Sequence, residues 1–339
     1  MKKIVSLIVS AMMSLSLAAC GSTKSLATDS SKYPWVLCTS SPADTVTGIY
    51  AQAFADQVHD LSDGKMNIVI YDNSTLGGDR ELLESCYSGD VKFIVQNTAP
   101  QVSFMPELAI FDLPMAYDTI EQVREALDDE EFQGILNDIY TSKGYRLLGM
   151  ADQSFRTMTT NKEITNIDGF KGQKIRTMEN SYHLAFWKAI GANPAPMAFS
   201  EVYIGLQQGT IDAQENPVEV IVSSRLYEQQ KYVVETNHLP HLLSLITNDQ
   251  FYNDLPEDQR KIIDQASENA KAIAREQSDE RISGRIAIVE ENGTQIVQLD
   301  EQTKQAIRDK SSSLYEEIRK NVGDTLYNAY LKHATWMNK

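Results

Sequence analysis

The chain of 339 residues is poor in cysteine and in positive charge. Its three cysteines are Cys20, Cys38 and Cys86, with no CxxC pair and no Cys/His spacing suited to zinc. That removes disulfide-stapled scaffolds, zinc ribbons and thioredoxin-like redox motifs. Lys and Arg number 31 against 47 Asp and Glu, a formal net charge of −16. So negative a body repels phosphate backbones at long range, so nucleic acid is excluded as a partner. Any anion it takes must be caught by Arg or Lys gathered inside a cleft. Catalytic signatures are missing too: there is no GxSxG, no GxxxxGK[ST], and no nucleophile with an evident base. The sequence therefore reads as a protein that is not an enzyme and needs no cofactor. His238 and His241 flank Leu239-Pro240, but no third ligand of matching character lies near, and no metal is expected.

What is present is an ordinary globular mix, 42% hydrophobic and 23% charged, over a length that suits two lobes. The chain opens with Lys2 and Lys3, an apolar run over residues 4–17 that is short for a membrane span, and Leu17-Ala18-Ala19-Cys20. This ending matches the lipobox of bacterial lipoproteins. It predicts a signal peptide over residues 1–19, lipidation of Cys20, and a flexible tether over 20–31, so that the protein is anchored to the membrane without spanning it. The alternative is a plain secretory signal with an accidental cysteine. Cys38 and Cys86 either pair in an oxidising compartment or remain buried thiols, and spacing does not decide between them.

Short Val- and Ile-rich runs alternate with amphipathic segments, the pattern of βα units and a largely parallel sheet. Strands are expected at residues 35–39, 66–71, 92–96, 145–150, 173–177, 195–199 and 242–247, and helices at 47–61, 79–88, 182–190 and 200–208. Residues 256–285 predict one long helix with Pro256 in its first turn. Ile262, Ile263, Ala266, Ala270, Ile273 and Ala274 trace its apolar face, and it is long enough to brace two lobes. Gly77-Gly78 before a helix offers backbone N–H groups to an anion or simply makes a turn. Arg156 and Arg176 each fall at the end of a strand-like run, where open α/β sheets bind ligands. Two guanidiniums there would clamp a carboxylate; the other reading is a pair of surface ion pairs.

Residues 171–233 carry KGQKIRT, MAFSEVY and AQENP, upstream stand LGGDRELLE at 76–84 and PELAIFDLPM at 106–115, and together these closely resemble the solute-binding subunits of TRAP transporters, the DctP-type family. The resemblance covers nearly the whole chain after the tether. It implies an α/β, periplasmic-binding-protein-like fold: two α/β lobes, a ligand cleft between them and the long helix bracing both. The first lobe would comprise 32–153 plus about 242–281, and the second 154–241 plus about 282–339.

It further implies a small organic-acid ligand and membrane permease subunits as partners. Arg176 falls on the family's carboxylate-clamping arginine and Arg156 on a second arginine that reaches the acid. Asn216 falls on an amide that bonds the same carboxylate, and Phe199 on a ring that closes over the ligand. Asp79, Arg80 and Asn97 are candidates for the variable part of the ligand, which favours a sugar acid such as a uronate over a C4-dicarboxylate, sialic acid or a keto acid. Trp187, tempting as a sugar platform, fits a core role better on its helix. One departure is the lipobox, since many members carry an ordinary cleavage site. Another is Cys38, at the strand end facing the cleft.

Overall fold

The computed structural model describes residues 34–334, so the signal segment, Cys20 and the tether lie outside it. Among the described residues the strands are, in chain order, β1 Trp35–Cys38, β2 Ile68–Tyr71, β3 Phe93–Asn97, β4 Tyr145–Phe155, β5 Thr157–Thr160, β6 Lys174–Thr177, β7 Asn193–Pro196, β8 Ala213–Asn216, β9 Tyr232–Glu235, β10 Pro240–Asn248 and β11 Gln295–Gln298. They form two sheets, ordered β2-β1-β3-β10-β4 and β11-β9-β5-β8-β6-β7.

In each sheet a single strand runs against its neighbours: β10 in the first and β5 in the second. Both are arrivals from the other sheet. β4 passes through Arg156 into β5, and β9 returns through residues 236–239 into β10. The two crossings are stapled to each other, because the Arg156 backbone N–H donates to the Leu239 carbonyl at 2.8 Å. Ser154 (φ 63°) and Asn237 (φ 42°) take the left-handed conformation at these crossings, a cost that only a well-determined surrounding structure sustains.

Each sheet is covered on two faces. In the first, Trp35, Phe54, Phe93 and Phe251 fill one face, and Phe111, Phe132, Tyr140 and Tyr330 the other. In the second, Phe170, Phe186 and Trp187 fill one face, and Val202, Ile221, Val233 and Val289 the other. Trp187 is fully buried, so the core reading of that residue holds. Cys38 and Cys86 are free and share one apolar cluster, where burial pushes their thiols up to about 11 and about 12.

The long helix runs over Glu257–Glu291, about 50 Å at roughly 1.5 Å per residue. Its Ile263, Ala266, Ala270 and Ala274 pack in the core of the first sheet and its Val289 in that of the second, which is how one element braces both lobes. The small alanines let the helix lie close against Val46–Leu61, the helix that follows β1. Among the described residues no helix is long and apolar enough to cross a membrane.

Two expectations need correction. The strand placed at 195–199 is Asn193–Pro196, and Phe199 opens a short 3-10 turn instead. Pro194 and Pro196 are tolerated because β7 is an edge strand. The C-terminal segment, grouped by sequence with the second lobe, returns to the first. The helix Glu301–Val322 buries Ile307 and Leu314 in the second lobe, but Ile318, Leu326, Tyr330 and Leu331 pack with Phe111 and Phe132. Burying those apolar groups on the nearer core outweighs their place in the chain order.

Candidate functional site

Strand ends from both sheets converge on one cleft. From the first lobe come Ser40 and Ser41, in the loop after β1, Asp79, the first residue of the helix Asp79–Ser88, and Asn97 at the end of β3. From the second come Arg176 in β6, Met178, Phe199, and Asn216 at the end of β8, while His241 lies at the start of β10. Together they line an inner cavity of about 30 Å³. An outer cavity of about 100 Å³ adjoins it, sharing Ser40, Asp79, Arg176, Met178 and Phe199.

The loop after β1 is held in place by local chemistry. Thr45 caps the helix Val46–Leu61 by accepting from the Gly48 N–H at 3.1 Å, and its hydroxyl donates to the Pro42 carbonyl at 2.7 Å. Gly48 is required there, since a Cβ would meet the Ala43 carbonyl oxygen and lie 2.6 Å from its Cα. Gly77, at φ 129°, and Gly78 form the turn before Asp79, which is the plainer of the two readings of that pair.

Arg176 is 2% exposed. Its Nε and Nη2 donate to the Met197 carbonyl at 2.9 and 2.7 Å, which fixes the guanidinium plane. The third nitrogen, Nη1, is buried with no acceptor. Burial pulls the group down to about 10, so it remains a cation at neutral pH. Phe199, half-buried, holds its ring centroid 6.0 Å from the guanidinium carbon. A buried charge-bearing donor left without an acceptor is costly, on the scale of about 3–5 kcal/mol for a broken buried pair.

Arg156 stands elsewhere. It is 1% exposed and engaged by the protein: Nη2 donates to Glu215 Oε1 at 2.8 Å, to the Glu215 carbonyl at 2.6 Å and to Asn216 Oδ1 at 3.2 Å. Its Nε meets Glu215 Oε2 and its Nη1 meets His241 Nδ1. It does not line either cavity, and its donors are taken up by Glu215, Asn216 and His241, of which Asn216 and His241 line the inner cavity.

The network continues across the lobes. His238 Nε2 lies 3.1 Å from Glu215, and His183 Nε2 lies 3.0 Å from Asp112, whose other oxygen accepts from Asn180 at 2.7 Å. Burial alone would raise Glu215, but Arg156, His183 and His238 outweigh it and hold the carboxyl well below its usual range. Burial works against a charge on His183 as well, yet Asp112 and Glu215 raise it to about 9. His241 is held well below its usual value by burial and by Arg156, and His238 is lowered mainly by burial. The two histidines weighed as a metal pair thus serve this charge network.

The remaining candidates divide. Asn97 lines the inner cavity, but its Nδ2 donates to the Leu242 carbonyl and its Oδ1 accepts from the Ala99 N–H, each at 2.9 Å. Asn216 also lines the inner cavity; its Nδ2 donates to Gln214 at 2.6 Å and its Oδ1 accepts from Arg156 at 3.2 Å. Asp79 is half-buried, accepts from Ser40 Oγ at 2.6 Å, and is raised chiefly by burial. Arg80 stands at the outer rim with 62% of its side chain exposed, paired to Glu84. Sequence reasoning passed over Ser40, Ser41 and Glu215, and weighed His241 only as a metal ligand. The two serines had a signal, because they directly follow a strand that ends at the cleft.

The sequence profile of the bacterial extracellular solute-binding proteins, family 7, matches residues 37–321. A solute-binding protein from Verminephrobacter eiseniae is 33% identical over 252 residues, 74% of this chain and 75% of that protein. Among solved structures, the sugar acid binding protein of Advenella mimigardefordensis in complex with galactonate superposes with a TM-score of 0.85 at 29% identity, covering 89% of this chain and 97% of that one. A TRAP periplasmic solute-binding protein from Shewanella oneidensis with bound succinate also gives 0.85, at 26% identity and coverage of 89% and 99%.

Proposed function

The chain belongs to the family 7 bacterial extracellular solute-binding proteins, the solute-binding subunits of TRAP transporters, and from that premise we propose that its ligand is a sugar acid, held by Arg176 and passed to a membrane permease. One observation carries the reading: Arg176 lines the cavity, and its Nη1 is buried without an acceptor while Nε and Nη2 donate to Met197. A ligand carboxylate supplies that acceptor, with the Asn216 amide beside it and the Phe199 ring excluding water.

The rest of the cavity favours hydroxyls over a second acid group. Ser40, Ser41 and Asp79 share the cavity with Arg176, and a carboxylate at Asp79 accepts hydroxyl donors but repels another carboxylate. Galactonate bound to the Advenella protein fits this chemistry, and uronates share it. A dicarboxylate remains the second reading because Arg80, on the outer cavity, offers a cation to a distal acid group. The mature protein is proposed to begin at Cys20, lipid-anchored and facing outward from the cell membrane on the 20–31 tether.

Thermal-shift screening of the mature chain against galactonate, galacturonate, glucuronate and succinate tests the proposal. A ligand at a hundred times its Kd adds roughly 2.7 kcal/mol of stability. Sugar acids raising the melting temperature above succinate support it, and no shift with any acid overturns it. Intact-mass analysis of membrane-extracted protein, looking for diacylglyceryl on Cys20, tests the anchor.

A further inference from the structure

A second set of charges joins the lobes beside the cavity. Asp44, in the loop that carries Ser40 and Ser41, accepts from Arg281 Nη2 at 2.7 Å and lies 2.8 Å from Arg285 Nη2. The Asp44 carbonyl accepts from Arg285 as well, at 3.2 Å. The same two guanidiniums hold Glu219: Arg281 Nε donates to Oε1 at 2.9 Å, and Arg285 Nε donates to Oε2 at 3.0 Å.

These residues belong to different bodies. Asp44 precedes Thr45 and Val46, which start a helix packed in the first-lobe core. Glu219 lies on the helix Val218–Ser223, whose Ile221 and Val222 pack in the second-lobe core. Arg281 and Arg285 sit on the long helix between its last first-lobe anchors, Ala274 and Ser278, and its second-lobe anchor, Val289. Each side is also attached to the cavity. Ser40 and Ser41 precede Asp44 in its loop, and Val220, next to Glu219, lines the inner cavity with Asn216.

We infer that Asp44, Arg281, Arg285 and Glu219 form a latch that holds the cavity closed, with Asp44 as its releasable end; the inference rests on the cavity being the ligand site. Glu219 is 4% exposed, and burial pushes its carboxyl up to about 7 against the pull of Arg285; the hydrogen bonds from Arg281 and Arg285 join the three side chains into one unit on the second-lobe side. The Asp44 side chain is 66% exposed, so its pairing is individually weak and can break at each opening. Such a contact sets the lifetime of the closed state and leaves the rate of ligand encounter alone, because encounter takes place with the latch open.

The test uses Asp44→Asn and Asp44→Arg, both at an exposed position, with wild type as reference. Stopped-flow fluorescence with galactonate, galacturonate and succinate gives association and dissociation rates. Spin labels at Asp60→Cys and Lys188→Cys, exposed positions in the first and second lobes, give the interlobe distance by pulsed electron resonance. The latch predicts dissociation faster by about three- to tenfold in Asp44→Asn, more in Asp44→Arg, and association within about twofold of wild type. It also predicts longer interlobe distances in both variants without any acid. Unchanged dissociation and unchanged distances in both variants overturn it. If no acid binds the wild type, the ligand-site reading falls, and the acid-free distances alone decide whether the latch exists.

Discussion

Arg156 and Glu215 form an ion pair at the meeting of the lobes, 1% and 0% exposed in their side chains, with the guanidinium also bound to the Glu215 carbonyl. The pair joins the crossing between β4 and β5 to the strand that carries Asn216, and neither of its residues lines a cavity. Removing one partner leaves the other charge buried and unmatched. Glu215→Gln is expected to destabilise the protein by about 3–5 kcal/mol in denaturant unfolding, well above the effect of Arg176→Lys. Equal stabilities would show that Arg156 is not held by this carboxylate.

Gly48→Ala separates helix propensity from loop geometry. In a free helix the change stabilises by about 1 kcal/mol. Here the new Cβ collides with Ala43 and displaces the Ser40–Ser41 loop. Lower stability together with weaker acid binding is expected, measured by denaturant titration and calorimetry. A more stable protein with unchanged binding would contradict the placement of that loop.

Histidines give the stability a two-sided pH profile. His183 is raised to about 9, above its ordinary value near 6.5, so its contribution is complete below 6.5 and is lost as pH rises through 9. His238 and His241 are lowered, so theirs is complete above about 6.5 and is lost as pH falls below it. Unfolding free energy should therefore decline on both sides of neutrality, and His183→Asn should flatten the alkaline limb. An alkaline limb unchanged in that variant would remove His183 from the account.

Asp79 tests the choice between sugar acid and dicarboxylate. Asp79→Asn removes the charge and keeps the size, so succinate affinity should rise relative to galactonate, by about tenfold in the ratio of the two Kd values. An unchanged ratio would mean that Asp79 does not face the distal end of the ligand.

Much of this was legible in the sequence, and the exceptions share a cause. Apolar runs at β1, β3 and β10 and the alanine face of the long helix were read from their periodicity because their side chains meet apolar cores. β8, with the sequence AQEN, is buried at every position and yet shows no apolar pattern. Its Gln214, Glu215 and Asn216 are buried by pairing with Thr159, Arg156 and His238, partners distant in sequence. The same distance hid the role of Arg156. It stands at a strand end as expected, but the partner that holds its guanidinium, Glu215, lies 59 residues on. Arg176, by contrast, lies at the cavity as a strand end of an open α/β sheet leads one to expect, and its role there is the proposal made above.

Calorimetric titration of Arg176→Lys with the acid that gives the largest melting shift on the wild type addresses the central claim most directly. Lysine keeps the charge but cannot hold the Met197 carbonyl with two donors and still present a third to the ligand. The account predicts affinity at least tenfold weaker, about 1.4 kcal/mol, with an unfolding midpoint close to that of the wild type. Equal affinity would contradict it, since the free donor at Nη1 would then have no part in holding the acid.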